Sequence, residues 1–165
     1  MRRANWPEVS STAAVAGHLI HPMLMAFCIA FLTSALATDL AFWGTGNPFW
    51  VRASAWLLLA GVVMGSIAAA VGVREFVIMS RVRSLTVGWL HFLGNAAAIL
   101  LALANLLYRL DEGLGAGVIP FGLILSAVVV AILLVTGWLG GELVFRHRIG
   151  VTTDKKAPEI SEHQY

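Results

Sequence analysis

Two histidines stand near the start of two apolar stretches of this chain. His21 lies in Gly17-His18-Leu19-Ile20-His21-Pro22, and His91 lies in Gly88-Trp89-Leu90-His91-Phe92-Leu93-Gly94-Asn95. An imidazole at membrane depth must find a polar partner, so its presence there points to function. Haem iron accepts histidine, and two imidazoles on opposite sides of one iron leave it no open position. Each histidine also has an ionisable companion eighteen residues further along, Asp39 after His21 and Arg109 after His91. Eighteen residues make about five helical turns, or about 27 Å, so each couple shares one helix face. A packing that joins the histidines at one depth therefore joins Asp39 and Arg109 at another, as a structural ion pair. Arg52 is a competing partner for Asp39.

The elements that must position these groups follow from composition. Of 165 residues, 59% are hydrophobic and 12% are charged, with a mean hydropathy of +0.83. A soluble domain carries about 25% charged residues. The chain therefore reads as an integral membrane protein. Four segments reach the roughly 20 apolar residues that a spanning helix needs. They are His21 to Trp43, Ala53 to Val73, Thr86 to Tyr108, and Val118 to Leu139 or a little beyond. The expected fold is all-α, an up-down four-helix membrane bundle with both termini on one side. Residues 1–17 read as a polar interfacial lead-in, 18–150 as the transmembrane domain and 151–165 as a flexible polar tail. No internal repeat is convincing. The single cysteine, Cys28, allows no disulfide within the chain, and no Cys-x-x-Cys-His motif exists, so any haem would be b-type.

Charge sets the expected orientation. Arg2, Arg3, Arg74, Arg81, Arg83, Arg146, Arg148, Lys155 and Lys156 fall on the side of the termini, and Arg52 and Arg109 on the other. Nine against two places both termini in the cytoplasm, in the inner membrane of a bacterium. The basic residues act as flank anchors, so the net charge of +2 carries no message about nucleic acid. The N-terminal apolar run continues past Ala35-Leu36-Ala37 to Trp43, which argues against a cleaved leader.

In an up-down bundle the first and third helices are diagonal neighbours. Axes 8–10 Å apart make that diagonal roughly 12–14 Å, a gap that two inward imidazoles can close around one metal. Gly94 and the glycines of the second span would leave room for a porphyrin. Arg81, Arg83, Arg146 and Arg148, at the same end, suit its propionates, since guanidinium groups match carboxylates. His18 or His147 could substitute as a ligand, whereas His163 lies in the tail. A zinc or copper site lacks an obvious third ligand. The spacing Gly61-x-x-x-Gly65 is first a helix-packing groove. No phosphate loop, Gly-x-Ser-x-Gly elbow or His-Glu-x-x-His motif is present.

The segments His21-Pro22, Phe27 with Ile29-Ala30-Phe31, Asp39, Gly88-Trp89-Leu90-His91 with Gly94-Asn95, and Thr136-Gly137-Trp138-Leu139-Gly140-Gly141-Glu142-Leu143 together resemble a bacterial family. It is the family catalogued as domain of unknown function 2231, small four-helix membrane proteins. The resemblance covers roughly residues 17 to 150. His21, Pro22, Asp39, His91 and Gly140-Gly141-Glu142 are family-like positions, and no ligand role comes with them. Relatives of that family occur joined to Rieske-type or cytochrome c-type modules, so the resemblance implies a membrane redox partner.

The leading expectation is a membrane electron carrier holding haem b between the first and third spans. Its partners would be the lipid bilayer and a larger redox complex, a quinone or a second copy of the chain. The alternatives are a non-redox accessory subunit of a larger complex, and a small transporter or proton conductor using Asp39, Arg109, Glu75 and Glu142. The spans lack the broken helices of transporters.

Overall fold

The computed structural model describes residues 14–15 and 18–150. The rest of the lead-in and the tail lie outside the described residues. Ala14–Val15 pairs antiparallel with His18–Leu19. Helix α1 follows at Ile20–Thr45, α2 at Pro48–Ile78, a single turn α3 at Ser80–Arg83, and α4 at Thr86–Glu112. A wide turn at Val118–Gly122 then leads into α5, Leu123–Phe145. The four long helices are apolar enough and long enough to cross a membrane. Each of α1 and α4 packs on both α2 and α5, so the helices close a ring with α1 and α4 across its diagonal.

Local chemistry sets the connections. Gly46, at φ 65°, closes α1 with its N–H 2.7 Å from the Phe42 carbonyl. Asn47 then caps α2, its side chain accepting from the Phe49 N–H at 2.9 Å, and Pro48 opens the helix where no N–H is needed. The α2 helix runs five residues beyond the expected Val73, because none of residues 74–78 is a glycine or a proline. Its terminal carbonyls need donors, and Arg83 folds back to donate to Phe76 and Val77. The segment 74–85 is mostly helix. Its Phe76, Met79 and Val82 turn inward onto Phe92 and Ile149 and cap one end of the bundle.

The core inverts the soluble pattern. Small or slender residues fill it: Cys28, Ala35, Ala98 and Ala102 are wholly buried beside Leu32, Leu58, Val62 and Leu133. Trp56, Leu134 and Trp138 project outward. Lipid tails are as apolar as leucine, so helices gain most by close backbone approach at small residues. Gly61 receives Leu32, and Gly65 receives Cys28 and Ile99. The groove expected from their spacing is therefore filled by helix packing. Gly94 likewise receives the methyl group of Thr136, so these three glycines leave no clearance for a ligand.

Candidate functional site

The two histidines meet at the end capped by α3. Their ring centres are 6.4 Å apart and their planes cross at 79°. His21 lies in the first turn of α1, and its Nδ1 is 2.9 Å from the Ala68 carbonyl of α2. His91 lies near the start of α4, and its Nδ1 is 2.8 Å from the Thr136 carbonyl of α5. A carbonyl only accepts, so Nδ1 carries a proton in both rings, and in the neutral imidazole Nε2 then carries the lone pair. That is the tautomer a metal-binding histidine adopts when its other nitrogen donates to a backbone oxygen. Asn95, one turn beyond His91, places Nδ2 3.2 Å from His91 Nε2 and 2.8 Å from the His91 carbonyl. Its Oδ1 accepts from the Thr136 hydroxyl at 3.3 Å.

A nitrogen ligand sits about 2 Å from its metal and about 1 Å from its own ring centre, so rings opposed across one metal have centres about 6 Å apart. The observed spacing fits that arrangement. Both rings line a cavity of about 830 Å³, whose wall includes Met25, Ile29, Phe76 and Phe92. That volume lies within the range of about 300–1,000 Å³ typical of ligand sites. Among the described residues no three of His, Cys, Asp and Glu gather as a metal site.

None of the four arginines expected at this site lines the cavity. Arg83 is engaged by the α2 carbonyls, Arg146 pairs with Glu142 at 2.9 Å near the surface, Arg148 is exposed, and Arg81 is half-buried on α3. Glu75 lines the cavity, whereas Glu142 and His147 do not.

Asp39 and Arg109 meet at the other end of the bundle. Arg109 Nη1 lies 2.8 Å from Asp39 Oδ1, and Nη2 lies 2.7 Å from Oδ2. Both residues are fully buried. Nη1 also donates to Ser54 at 2.8 Å, Nη2 to Ser126 at 3.1 Å, and Nε to Asn105 at 2.9 Å. Ser54 and Ser126 in turn donate to the two carboxylate oxygens at 2.5 and 2.7 Å. Arg52 is exposed and takes no part. Gly117 and Gly122 make the space: a Cβ on Gly117 would lie 2.8 Å from Arg109 Cα, and one on Gly122 2.9 Å from its Nε. The two serines escaped the sequence reading, because a serine in an apolar helix normally satisfies itself on its own backbone.

The two hairpins present matching groups. An offset of 70 residues relates His21 to His91 and Asp39 to Arg109, and the same offset relates the buried Cys28, Leu32 and Ala35 to Ala98, Ala102 and Asn105. On the second helix of each hairpin an offset of 68 relates the acceptors Ala68 and Thr136, and also Gly72 and Gly140. The offsets relate positions in the packing and not a repeat of the sequence. Equivalent positions share a role and seldom a residue type.

No curated protein and no solved structure matches the chain. A family profile described as a predicted membrane protein, DUF2231, matches residues 17–153. That match takes in all four spans, both histidines and the buried ion pair, and the chain belongs to the DUF2231 family of predicted membrane proteins.

Proposed function

We propose that this protein is a b-type haem electron carrier of the membrane, with His21 and His91 as axial ligands. The observation that carries the reading is the 6.4 Å spacing of two rings whose Nδ1 atoms both donate to backbone carbonyls. Haem bound there would supply one-electron chemistry. The chain's own part is to orient two neutral imidazoles, raise their basicity through the Nδ1–H bonds, and exclude water with an apolar wall. Asn95 can release His91 Nε2 and keep its bond to the His91 carbonyl. Arg81, Arg83, Arg146 and Arg148 would favour propionates through the positive field at this end, which contact alone does not supply. A quinone or a larger redox complex is the proposed electron partner.

The test is the absorption spectrum of the full chain purified in detergent. A Soret band and a low-spin spectrum are expected, lost in His21→Ala and in His91→Ala and retained in His163→Ala. A high-spin spectrum that binds carbon monoxide would mean one ligand, not two. The same histidine bonds also tie α1 to α2 and α4 to α5, which favours a second reading, a scaffold subunit with structural histidines. A colourless protein that takes up no added haem would select it. We place the histidine end at the cytoplasm of a bacterial inner membrane, on the basic-residue count. A periplasm-dependent reporter fused after Tyr165 should stay inactive, and its activity would reverse that orientation.

A further inference from the structure

Each imidazole edge rests on a glycine. A Cβ on Gly72 would lie 2.8 Å from His21 Cε1 and 3.1 Å from its Nδ1. A Cβ on Gly140 would lie 2.9 Å from His91 Cε1 and 3.3 Å from its Nδ1. In a helix the N–H of residue 72 bonds the carbonyl of residue 68, and that of residue 140 bonds the carbonyl of residue 136. These are the two carbonyls that accept from the histidines. Each glycine thus sits at the far end of the hydrogen bond that its histidine must share. A side chain there would cover the carbonyl's second lone pair and hold the ring away.

We infer that Gly72 and Gly140 are positioning residues, which seat the two imidazoles against neighbouring helices so that Nδ1 keeps the proton and Nε2 stays available to a metal. The pattern occurs once per hairpin: histidine on the first helix, bare carbonyl and glycine one turn apart on the second. Glycine is disfavoured in helix interiors relative to alanine. Two such residues, both beneath an imidazole, answer to one requirement. The inference rests on the haem reading only for what the free nitrogens bind.

The test uses the full chain with ring-labelled histidines, expressed under haem limitation and compared by nitrogen magnetic resonance before and after titration with haem. Before haem is added, His21 and His91 should both report the Nδ1–H tautomer. Gly72→Ala should disturb the His21 signal alone and Gly140→Ala the His91 signal alone. Gly44→Ala, at a position with open space around it, should disturb neither. Each cavity glycine replacement should then weaken haem retention about 10–100-fold, as loss of a ligand-orienting bond does, and introduce a high-spin fraction. Unchanged ring tautomers in both variants would overturn the inference. If Gly72→Ala fails to fold, His21→Ala/Gly72→Ala should fold like His21→Ala, since the ring it clashes with is gone. A double variant that still fails would also overturn it. A wild-type protein that shows the expected tautomers and takes up no haem would sink the haem reading and leave the glycine assignment standing.

Discussion

The two ends of this bundle solve the same problem in opposite ways. Each brings polar groups from α1 and α4 together inside an apolar shell. At the Asp39–Arg109 end every donor is used: the five N–H groups of Arg109 find five acceptors on Asp39, Ser54, Ser126 and Asn105. At the histidine end each ring commits Nδ1 to a carbonyl, His91 Nε2 meets only the Asn95 amide at 3.2 Å, and both rings border a cavity. Among the described residues, no buried side-chain nitrogen or oxygen lacks a partner, so the contrast is one of surplus capacity. A closed network fixes how the helices pack. An open one is useful only if something completes it.

The largest expected effect is at the closed end. Asp39→Asn or Arg109→Gln should each destabilise the protein by about 3–5 kcal/mol, because the surviving charge is buried without its counterpart. The double variant should cost less than the sum of the singles, and the haem spectrum should hardly change, the sites being about 27 Å apart along each helix. Unfolding in mixed micelles measures both, and additive effects would mean that the two charges do not support one another. In the opposite direction, His21→Ala should remove haem yet lower stability by only about 1 kcal/mol, the worth of one hydrogen bond. A stability loss as large as that of Asp39→Asn would show the histidine end to be structural too. The smallest effect concerns Asn95, whose counterpart in the first hairpin is Met25. Asn95→Met frees His91 Nε2 from an amide worth about 1 kcal/mol, so haem should bind about fivefold tighter. Weaker binding would mean that Asn95 holds His91 in its productive orientation.

Much of this arrangement was legible before any coordinates. Span count follows from hydropathy alone, and the eighteen-residue intervals put His21 over Asp39 and His91 over Arg109 because helical periodicity is rigid over that length. What could not be read belongs to the backbone or to a neighbour. Ala68 and Thr136 contribute carbonyls, which every residue has, so no side-chain pattern marks them. Gly61, Gly65, Gly72 and Gly140 look alike in the sequence, yet two receive helix-packing side chains and two receive imidazoles. Arg83 read as a propionate partner because a cation near a redox site has that use, but the end of α2 had carbonyls to satisfy first. The offsets stayed hidden because their matched positions carry opposite charges or different small residues.

That last property has its own consequence. Two identical hairpins assembled about a twofold axis could supply two equivalent histidines to one metal. They could never supply an aspartate on one side and an arginine on the other, because symmetry would set carboxylate against carboxylate or guanidinium against guanidinium. Joining the halves in one chain lifts that constraint. The histidine end keeps the symmetry, with one imidazole from each hairpin, and the Asp39–Arg109 end departs from it. A buried ion pair of this kind is also a device of self-recognition: it favours one hairpin docking on its own complement over docking on a copy of itself.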